Sequence, residues 1–397
     1  MAESSRPPPT TTLMIAPCPF PTSQGSQTLI KQLATGLNDR GYRVHVVTYH
    51  HGEYDAKFSF PVHRARRVSG IGRLKAGPSF GKVYLDALLW LKALQVGRAI
   101  HPDLVHGHNY EGALIGSLVA RRLSVPMVYH THNVLHEELP TYFGNPIIRR
   151  CARHLGMILD RRIPARADAV VALNEALRHE LESLGVSPGN SSVIPPGVWP
   201  EEWADTSALP STPTIVYTGN LDNYQNLSLL VESMTTVTRE MPEAVLIIVS
   251  HERSPRLEAQ VRDLGLSRSV DFVIAHGFEA VRRWIARSSV AVCTRLPRCG
   301  YPIKLVNYLA AGRPVVVSAA CAHGIIHEKT GLIVEHARPE SYAEAILRVL
   351  RDRSLALRLG AEGRRMALTT LSWDRALVSI DRVYSSLCAV PSAELPR

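Results

Sequence analysis

The feature that most constrains the fold is an alternation of short, strongly apolar runs with helical patterns, which occurs twice along the chain. Apolar runs at residues 12–17, 44–48, 102–108 and 126–133 are each followed by a helical pattern, and the alternation restarts at residue 214. This order predicts βαβ units with parallel strands. The sequence therefore predicts an α/β fold with two facing, doubly wound Rossmann-like domains and a ligand in the cleft between them.

The 397 residues are enough for two domains, and local composition suggests where they divide. Residues 1–12 are rich in Ser, Pro and Thr and lack an apolar segment, which predicts a disordered tail and not a secretory signal. We assign residues 13–198 to an N-terminal domain, 199–213 to a linker and 214–372 to a C-terminal domain. A final helix at 373–388 is long enough to return to the first domain.

The composition limits where in the cell the protein is expected and which classes of partner it is expected to bind. No run approaches eighteen consecutive apolar residues, and the six cysteines show no metal-like spacing, so we expect a cytoplasmic protein. The net charge of +10 comes without a nucleic-acid motif, which excludes nucleic acid as the expected partner. Basic residues are concentrated in two segments of the first half of the chain: Arg64, Arg66, Arg67, Arg73, Lys75 and Lys82, then Arg149, Arg150, Arg153, Arg161, Arg162 and Arg166. They predict that the N-terminal domain faces anions, either small anionic molecules or the anionic inner face of a membrane to which the protein binds peripherally. An ordinary solvated helix face is the alternative.

Residues 297–317 predict a loop, a helix and a strand in succession. A Gly300-Tyr301-Pro302 turn sets proline at the first helical position, Gly312 ends the helix, and Pro-Val-Val-Val begins a buried strand. The start of this helix offers unpaired N–H groups, and Arg298 and Lys304 are close in sequence, so it could hold a phosphate-like anion. An ordinary sheet crossover is the alternative.

Several common cofactor sites are absent from the sequence. No GxGxxG follows the first strand and no GxxxxGK[ST] is present, which argues against nicotinamide-dependent oxidoreductases and P-loop kinases. No Asp-x-Asp occurs, so we expect neither a metal-held nucleotide diphosphate nor any other cofactor. His106-Gly-His108 and His130-Thr-His132 could suggest a metal, but no Cys, Asp or Glu stands at ligand spacing. A polar strand end that serves a sugar or a phosphate is the expected role.

The order of the motifs, taken together, resembles the family 4 glycosyltransferases. The matching segments are Pro-Phe-Pro-Thr with Gly-Ser-Gln, Arg-Gly-Tyr-Arg-Val-His-Val-Val-Thr, Pro-Asp-Leu-Val-His-Gly-His, Ile-Pro-Pro-Gly-Val, Tyr-Thr-Gly-Asn-Leu and Gly-Tyr-Pro-Ile-Lys-Leu with Ala-Ala-Gly-Arg-Pro-Val-Val, between residues 13 and 384. The resemblance implies the two-domain GT-B fold. It also implies transfer of a sugar from a nucleotide-sugar donor to an acceptor, with retention at the anomeric carbon and without a metal.

The resemblance also assigns candidate site residues. Gly25 matches a glycine of the N-terminal loop that lies against the donor diphosphate, and His132 matches a histidine that contacts the donor sugar. Gly219 matches the glycine that opens a second diphosphate-binding loop. In that loop Asn220 and Gln225 replace the family's arginine and lysine.

Two further charged positions depart from the family pattern. Cys299 and Asn307 stand where the family has paired glutamates. The chain resembles instead a subgroup with a Tyr-Gln loop, here Tyr224-Gln225, and a Pro-Arg-x-Gly-x-Pro-x-Lys block. We therefore predict that Arg298 and Lys304 replace the lost basic groups.

The predicted reaction is glycosyl transfer to a glycolipid, a polysaccharide precursor or a small-molecule acceptor. His132, Arg298 and Lys304 are the predicted catalytic residues, and Gly300 and Tyr301 complete the donor site at the helix start. Two alternatives remain open on the sequence alone. One is a catalytically impaired protein that binds a nucleotide-sugar or a partner, and the other is an isomerase or phosphorylase on the same fold.

Overall fold

The computed structural model describes residues 10–22, 25–52, 56–68, 77, 80–204, 209–296 and 300–388, which form two compact units. The N-terminal unit contains the described residues of Met1–Thr22, Ser26–Pro195 and Ala376–Arg397. The C-terminal unit contains those of Ser23–Gly25 and Pro196–Arg375. Two predicted site residues, Arg298 and Cys299, lie outside the described residues, as do residues 1–9 of the predicted tail.

The N-terminal unit is built on a seven-stranded sheet in which all strands are parallel. Its strands are β1 (Thr11–Ala16), β2 (Arg43–Thr48), β3 (Val62–Arg64), β4 (Leu104–His108), β5 (Met127–Thr131), β6 (Ala169–Ala172) and β7 (Ser191–Val193). Its helices are α1 (Gly25–Asp39), α2 (Phe80–Ile100), α3 (Asn109–Leu123), α4 (Leu135–Glu138), α5 (Pro146–Arg162) and α6 (Glu175–Ser183). The strand order is β3-β2-β1-β4-β5-β6-β7.

The C-terminal unit contains a second parallel sheet, of six strands, in the order β10-β9-β8-β11-β12-β13. Its strands are β8 (Thr214–Thr218), β9 (Val245–Ser250), β10 (Val270–Ile274), β11 (Val290–Cys293), β12 (Val315–Ser318) and β13 (Leu332–Val334). The helices that follow are α7 (Leu227–Glu240), α8 (Pro255–Asp263), α9 (Phe278–Ala286), α10 (Ile303–Ala310), α11 (Pro339–Arg351), α12 (Arg353–Thr370) and α13 (Trp373–Cys388). Two parallel α/β sheets confirm the predicted fold class.

The central strands of both sheets are buried on both faces, which explains why they are continuously apolar. Strand β9 reads Val-Leu-Ile-Ile-Val-Ser and is buried at every position after the first. Leu230 and Met234 of α7 and Tyr342 of α11 are fully buried in the same core. Parallel strands covered by helices on both faces have this composition because neither face meets water.

Residues 199–213, predicted as a linker, belong in their described part to the C-terminal unit. Trp203 is only 2% exposed, and its ring meets that of Phe278 edge-on with 5.7 Å between centroids. Arg364 of α12 donates a hydrogen bond to the carbonyl oxygen of Trp203 at 2.6 Å. These contacts fix the segment against its own unit.

The sequence analysis assigned no helix to residues 353–370, where α12 lies. Asp352 caps this helix by accepting a hydrogen bond from the backbone N–H of Leu355 at 2.9 Å. Its buried face includes the small residues Gly360, Gly363 and Ala367, which produce little apolar periodicity. Strand β3 was also missed, because its three residues Val-His-Arg are only half-buried.

The C-terminal helix α13 passes from the C-terminal unit into the N-terminal one at Ala376. A Cβ atom at Gly36 of α1 would lie only 2.4 Å from a methyl carbon of Leu377, so glycine permits this close packing. No helix among the described residues is both long and apolar enough to cross a membrane.

Candidate active site

In each sheet the strand order reverses at one point, between β1 and β4 and between β8 and β11. Ligands of open parallel sheets collect at the carboxyl ends of the strands that flank such a point. The predicted residues Gly219, Asn220 and Gln225 follow β8, and Lys304 belongs to α10, which follows β11. The fold therefore brings these four predicted residues to the reversal point of the C-terminal sheet.

Lys304 is the centre of this group. Its Nζ donates hydrogen bonds to Tyr217 Oη at 2.6 Å and to Gln225 Oε1 at 3.1 Å, and it lies 3.8 Å from the centroid of the Tyr217 ring. A Cβ atom built on Gly219 would be 2.8 Å from the same Nζ, so the ammonium lies directly against the backbone of the loop. Lys304 thus reaches Gln225, the position where the family pattern has a lysine.

The surroundings of Lys304 make its charge responsive to a ligand. The pKa of the Lys304 ammonium is lowered to about 7, mainly by burial and also by the nearby guanidinium of Arg295, whereas Cys293, Cys321 and Asp222 act in the opposite direction. An anion bound beside Nζ would raise this pKa again. The group is therefore able to gain a proton as an anionic ligand arrives.

Asn220 holds the loop together through its side chain. Its Nδ2 donates to Asp222 Oδ2 at 2.7 Å and to Tyr224 Oη at 2.8 Å, while its Oδ1 accepts from Gln225 Nε2 at 2.7 Å. The backbone carbonyl of Asn220 accepts a further bond from Tyr217 Oη at 2.7 Å. Asn220 therefore stabilises the loop by hydrogen bonds within it and orients the side chain of Gln225, whose Oε1 accepts a hydrogen bond from Lys304.

Arg295 is a basic residue of this group that the sequence analysis missed. It follows β11 directly, and its guanidinium carbon lies 5.3 Å from the centroid of the Tyr224 ring. The feature that could have identified Arg295 is its position, two residues after the end of a strand that lies next to the point where the strand order reverses. That strand order was not known from the sequence.

The predicted helix after Gly300 is α10, and it begins one residue later than expected, with Pro302 at the N-cap and no capping side chain among the described residues. Gly300 has a φ of 75°, and its carbonyl oxygen lies within hydrogen-bond distance of His323 Nε2, at 3.1 Å. The ring of Tyr301 is buried, so this side chain packs against the turn.

Asn307 is half-buried and lies one turn after Lys304 on α10. Gly312 has a φ of 66° after the helix end, as the predicted helix stop requires.

Of the other two predicted residues, Gly25 is grouped with the C-terminal unit and His132 with the N-terminal unit. Gly25 is exposed at the first position of α1, and His132 follows β5. The Nδ1 atom of His132 is 3.1 Å from the hydroxyl of Ser26, and its Nε2 is 3.4 Å from His108 Nδ1. Burial lowers the pKa of His132 to about 4, so its imidazole is neutral at pH 7.

Four histidines, His106, His108, His130 and His132, pack together at the ends of β4 and β5 and form what we call the histidine cluster. The parallel register sets His108 directly beside His130. Burial is the main cause that lowers the pKa of His106 to about 3 and those of His108 and His130 well below the usual value. The cluster is therefore uncharged at neutral pH.

Comparison with known families agrees with the motif order. The model for "Glycosyltransferase Family 4" matches residues 23–202, and the model for "Glycosyl transferases group 1" matches residues 212–352. The chain belongs to the family 4 glycosyltransferases. The two matched segments together span most of this glycosyltransferase and include every described candidate residue.

Curated relatives of this glycosyltransferase have the same enzyme class. It is 25% identical to the D-inositol 3-phosphate glycosyltransferase of Jonesia denitrificans over 307 residues, which cover 71% of each chain. It is also 25% identical to the enzyme of the same name from Kineococcus radiotolerans over 381 residues, 86% of each chain.

Solved structures establish the GT-B architecture of the glycosyltransferase. Sucrose-phosphate synthase from Thermosynechococcus elongatus has a TM-score of 0.83 at 19% identity, with 96% of this chain and 99% of that chain covered. The HepE protein of Anabaena, solved with UDP-glucose, has a TM-score of 0.73 at 17% identity, with 95% and 100% covered. At these identities the likeness concerns the fold alone.

Proposed function

We propose that this glycosyltransferase transfers a sugar from a UDP-sugar to an acceptor hydroxyl with retention of configuration and without a metal. The observation that carries the proposal is the ammonium of Lys304, held by Tyr217 and Gln225 against Gly219. The choice of nucleotide is supported by a protein of the same fold, HepE, which was solved with UDP and with UDP-glucose.

Lys304 would act by stabilising the leaving diphosphate. Negative charge grows on this group as the bond to the sugar breaks, and a charge-assisted hydrogen bond contributes about 1.5–3 kcal/mol. Arg295 lies at the same reversal point, and Arg298, two residues before Gly300, would add a second basic group. Basic side chains in these positions supply the neutralisation that a metal supplies elsewhere, which is why we propose a metal-independent reaction.

His132 would contact the transferred sugar. Both of its ring nitrogens already have neighbours, Ser26 and His108, and the hydroxyl of Ser26 is the easier one to release because Ser26 is only half-buried. Since His132 is neutral, it can donate one hydrogen bond to a sugar oxygen without placing a charge beside the reacting carbon. The retained configuration would follow from positioning the acceptor hydroxyl on the face of the sugar from which the diphosphate leaves, so that the new bond forms where the old one breaks.

A screen of UDP-, GDP-, dTDP- and ADP-sugars in the presence of a chelator tests the donor proposal. We expect a UDP-sugar to raise the melting temperature and to release UDP slowly, and we expect NMR of the product to show the donor's anomeric configuration. Stabilisation without any UDP release would favour a binding protein, and an inverted product or a strict need for a divalent metal would contradict the proposal.

The matched variants for this test are Lys304→Ala and Lys329→Ala. Lys329 is exposed in the same unit, so its loss removes a positive charge without touching the loop. Loss of donor stabilisation in the first variant alone would support the assignment, whereas equal behaviour of the two variants would remove Lys304 from the site.

For the acceptor we propose a glycolipid at an anionic membrane surface on the cytoplasmic side. Helix α5 supports this, because it exposes apolar and basic side chains next to each other: Ile147 at 74% exposure, Ile148, Leu155, Arg149, Arg150 and Arg153. Such a helix lies in the headgroup region with its arginines on anionic lipid. Of the other predicted basic residues, Arg64 donates to the carbonyls of Phe20 and His51, and Arg73 and Lys75 lie outside the described residues.

Flotation with liposomes tests this surface. We expect binding to vesicles that contain anionic lipid at low salt, and loss of binding at high salt. The variant Ile147→Asp/Leu155→Asp should stay in the soluble fraction, whereas Leu357→Asp, an exposed leucine on α12, should behave like the wild type. Equal flotation of all three proteins would contradict the assignment of α5.

A further inference from the structure

Three members of the histidine cluster, His106, His108 and His130, approach one another as metal ligands do. They project from adjacent parallel strands, and one ring nitrogen of each lies within 4.8 Å of those of the other two. Their ring centroids are 4.5, 5.1 and 5.3 Å apart. All three side chains are buried, the most exposed at 3%.

One pair already has the spacing of two ligands on one ion. In a tetrahedral site with metal–nitrogen bonds of about 2.0–2.1 Å, neighbouring ligand nitrogens are about 3.3 Å apart. His106 Nε2 and His130 Nδ1 are 3.2 Å apart. The rings of His106 and His108 are stacked with 10° between their planes, so the His108 ring has to turn before its nitrogen can face the same ion.

A second observation points to a ligand here. The Nε2 atoms of both His108 and His130 are buried and have no hydrogen-bond partner among the described residues. Buried polar atoms are normally paired, because an unpaired one loses its bonds to water and gains none. A metal ion bound through His108 Nε2 would use a lone pair that the protein otherwise leaves unused, whereas His130, which binds through Nδ1 in the pair described above, keeps its Nε2 unpaired.

The remaining contacts of the trio suit a metal site as well. The Nδ1 atom of His106 lies 2.6 Å from the hydroxyl of Tyr384 on α13, which orients its ring as outer-shell partners orient metal-bound histidines. The imidazoles are neutral, which is the form that coordinates. No thiolate or carboxylate is part of the trio, and an all-imidazole set favours zinc, copper or nickel over magnesium or calcium.

We propose that His106, His108 and His130 bind one transition-metal ion, with Zn²⁺ as the first candidate, inside the N-terminal unit. The ion would hold β4, β5 and α13 together and would take no part in sugar transfer. The group around Lys304 lies in the other unit, and the trio meets the proposed sugar contact only where His108 approaches His132, at 3.4 Å. Zinc content and UDP binding can therefore be tested separately, and either can fail while the other stands.

The test uses the full chain without a histidine tag, produced in zinc-supplemented medium, because a buried ion would enter while the protein folds. Elemental analysis should find one zinc per chain after dialysis, and X-ray absorption at the zinc edge should show at least three imidazole nitrogens at about 2.0 Å. Zinc-free wild-type protein, or fewer than three imidazoles around the zinc, would overturn the proposal without any need for a variant.

Substitutions then locate the ion. His130→Asn should reduce zinc content or affinity by at least about 10–100-fold, the loss that follows even the removal of an outer-shell partner. His154→Asn removes an exposed histidine of α5 and should retain the full zinc content. Folded His130→Asn protein with wild-type zinc would overturn the proposal, and circular dichroism decides whether the variant is folded. If it is not, the spectroscopy of the wild type decides the question alone.

Discussion

The two units bury polar groups at the carboxyl ends of their strands in opposite ways. The C-terminal unit holds the ammonium of Lys304, with two hydrogen-bonded side chains and an aromatic ring around it. The N-terminal unit holds the histidine cluster, four neutral imidazoles, and two of them have a ring nitrogen that no described residue pairs. The first arrangement keeps a positively charged group that an anionic ligand can pair with, and the second contains only uncharged side chains. The difference predicts that anions act on one unit and protons or metals on the other.

The largest expected effect is that acidification destabilises the N-terminal unit through its buried histidines. The folded-state pKa of His106 is lowered to about 3 from an ordinary 6.5, so between these values the unfolded chain binds the proton that the folded chain does not. Stability is therefore present above about pH 6.5 and falls as the pH is lowered. One such histidine costs about 1.4 kcal/mol of unfolding free energy for each pH unit in this window.

Hydrogen exchange at pH 7, 6 and 5 measures this effect for each unit separately. Amides of β4 and β5 should lose protection well before those of β8 and β9. If both units lost protection at the same pH, the histidine cluster would not control acid stability, and the proposed difference between the units would be wrong.

Removal of the Lys304 ammonium is the next largest expected effect. Lys304→Met keeps the length of the side chain and removes its charge, so UDP should bind about 10–150-fold more weakly, which corresponds to one charge-assisted hydrogen bond of about 1.5–3 kcal/mol. Calorimetry measures the affinity, and Lys329→Met is the control for the loss of one exposed charge. Wild-type affinity in Lys304→Met would mean that other groups hold the diphosphate.

The pH dependence of Lys304 sharpens the comparison, because one residue should affect binding and stability with opposite signs. Its pKa is lowered from 10.5 to about 7, so as the pH rises through this window the folded protein becomes more stable relative to the unfolded chain. Over the same window the ammonium is lost, and UDP affinity should fall by up to about tenfold per pH unit between the pKa of the free protein and the higher pKa of the complex. Lys304→Arg should bind UDP with little pH dependence, since arginine keeps its charge. A wild-type affinity that stays constant from pH 7 to pH 9 would contradict a role for this ammonium.

The sequence predicted what depends on local pattern and missed what depends on neighbouring strands. The alternation of apolar runs was enough for both parallel sheets, and Gly312 marked a helix end that needs a positive φ. The pairing of His108 with His130 depends on the register between β4 and β5, which neither strand encodes alone. This is why the two His-x-His pairs were considered separately and their shared cluster was missed. Arg295 was missed for a similar reason, since its place beside Tyr224 follows from the strand order.

The smallest expected effects come from removing one hydroxyl from each unit. Tyr384→Phe leaves His106 Nδ1 without its partner and should lower the unfolding free energy by about 1 kcal/mol, the usual net value of a hydrogen bond, while UDP affinity stays unchanged. Tyr217→Phe removes the bonds to Lys304 and to the carbonyl of Asn220 but keeps the ring beneath the ammonium, so it should weaken UDP binding as well. Urea unfolding and calorimetry on both variants measure the two quantities. If Tyr384→Phe weakened UDP binding as much as Tyr217→Phe, the surroundings of His106 would not be separate from the diphosphate site, because the same group would then serve both.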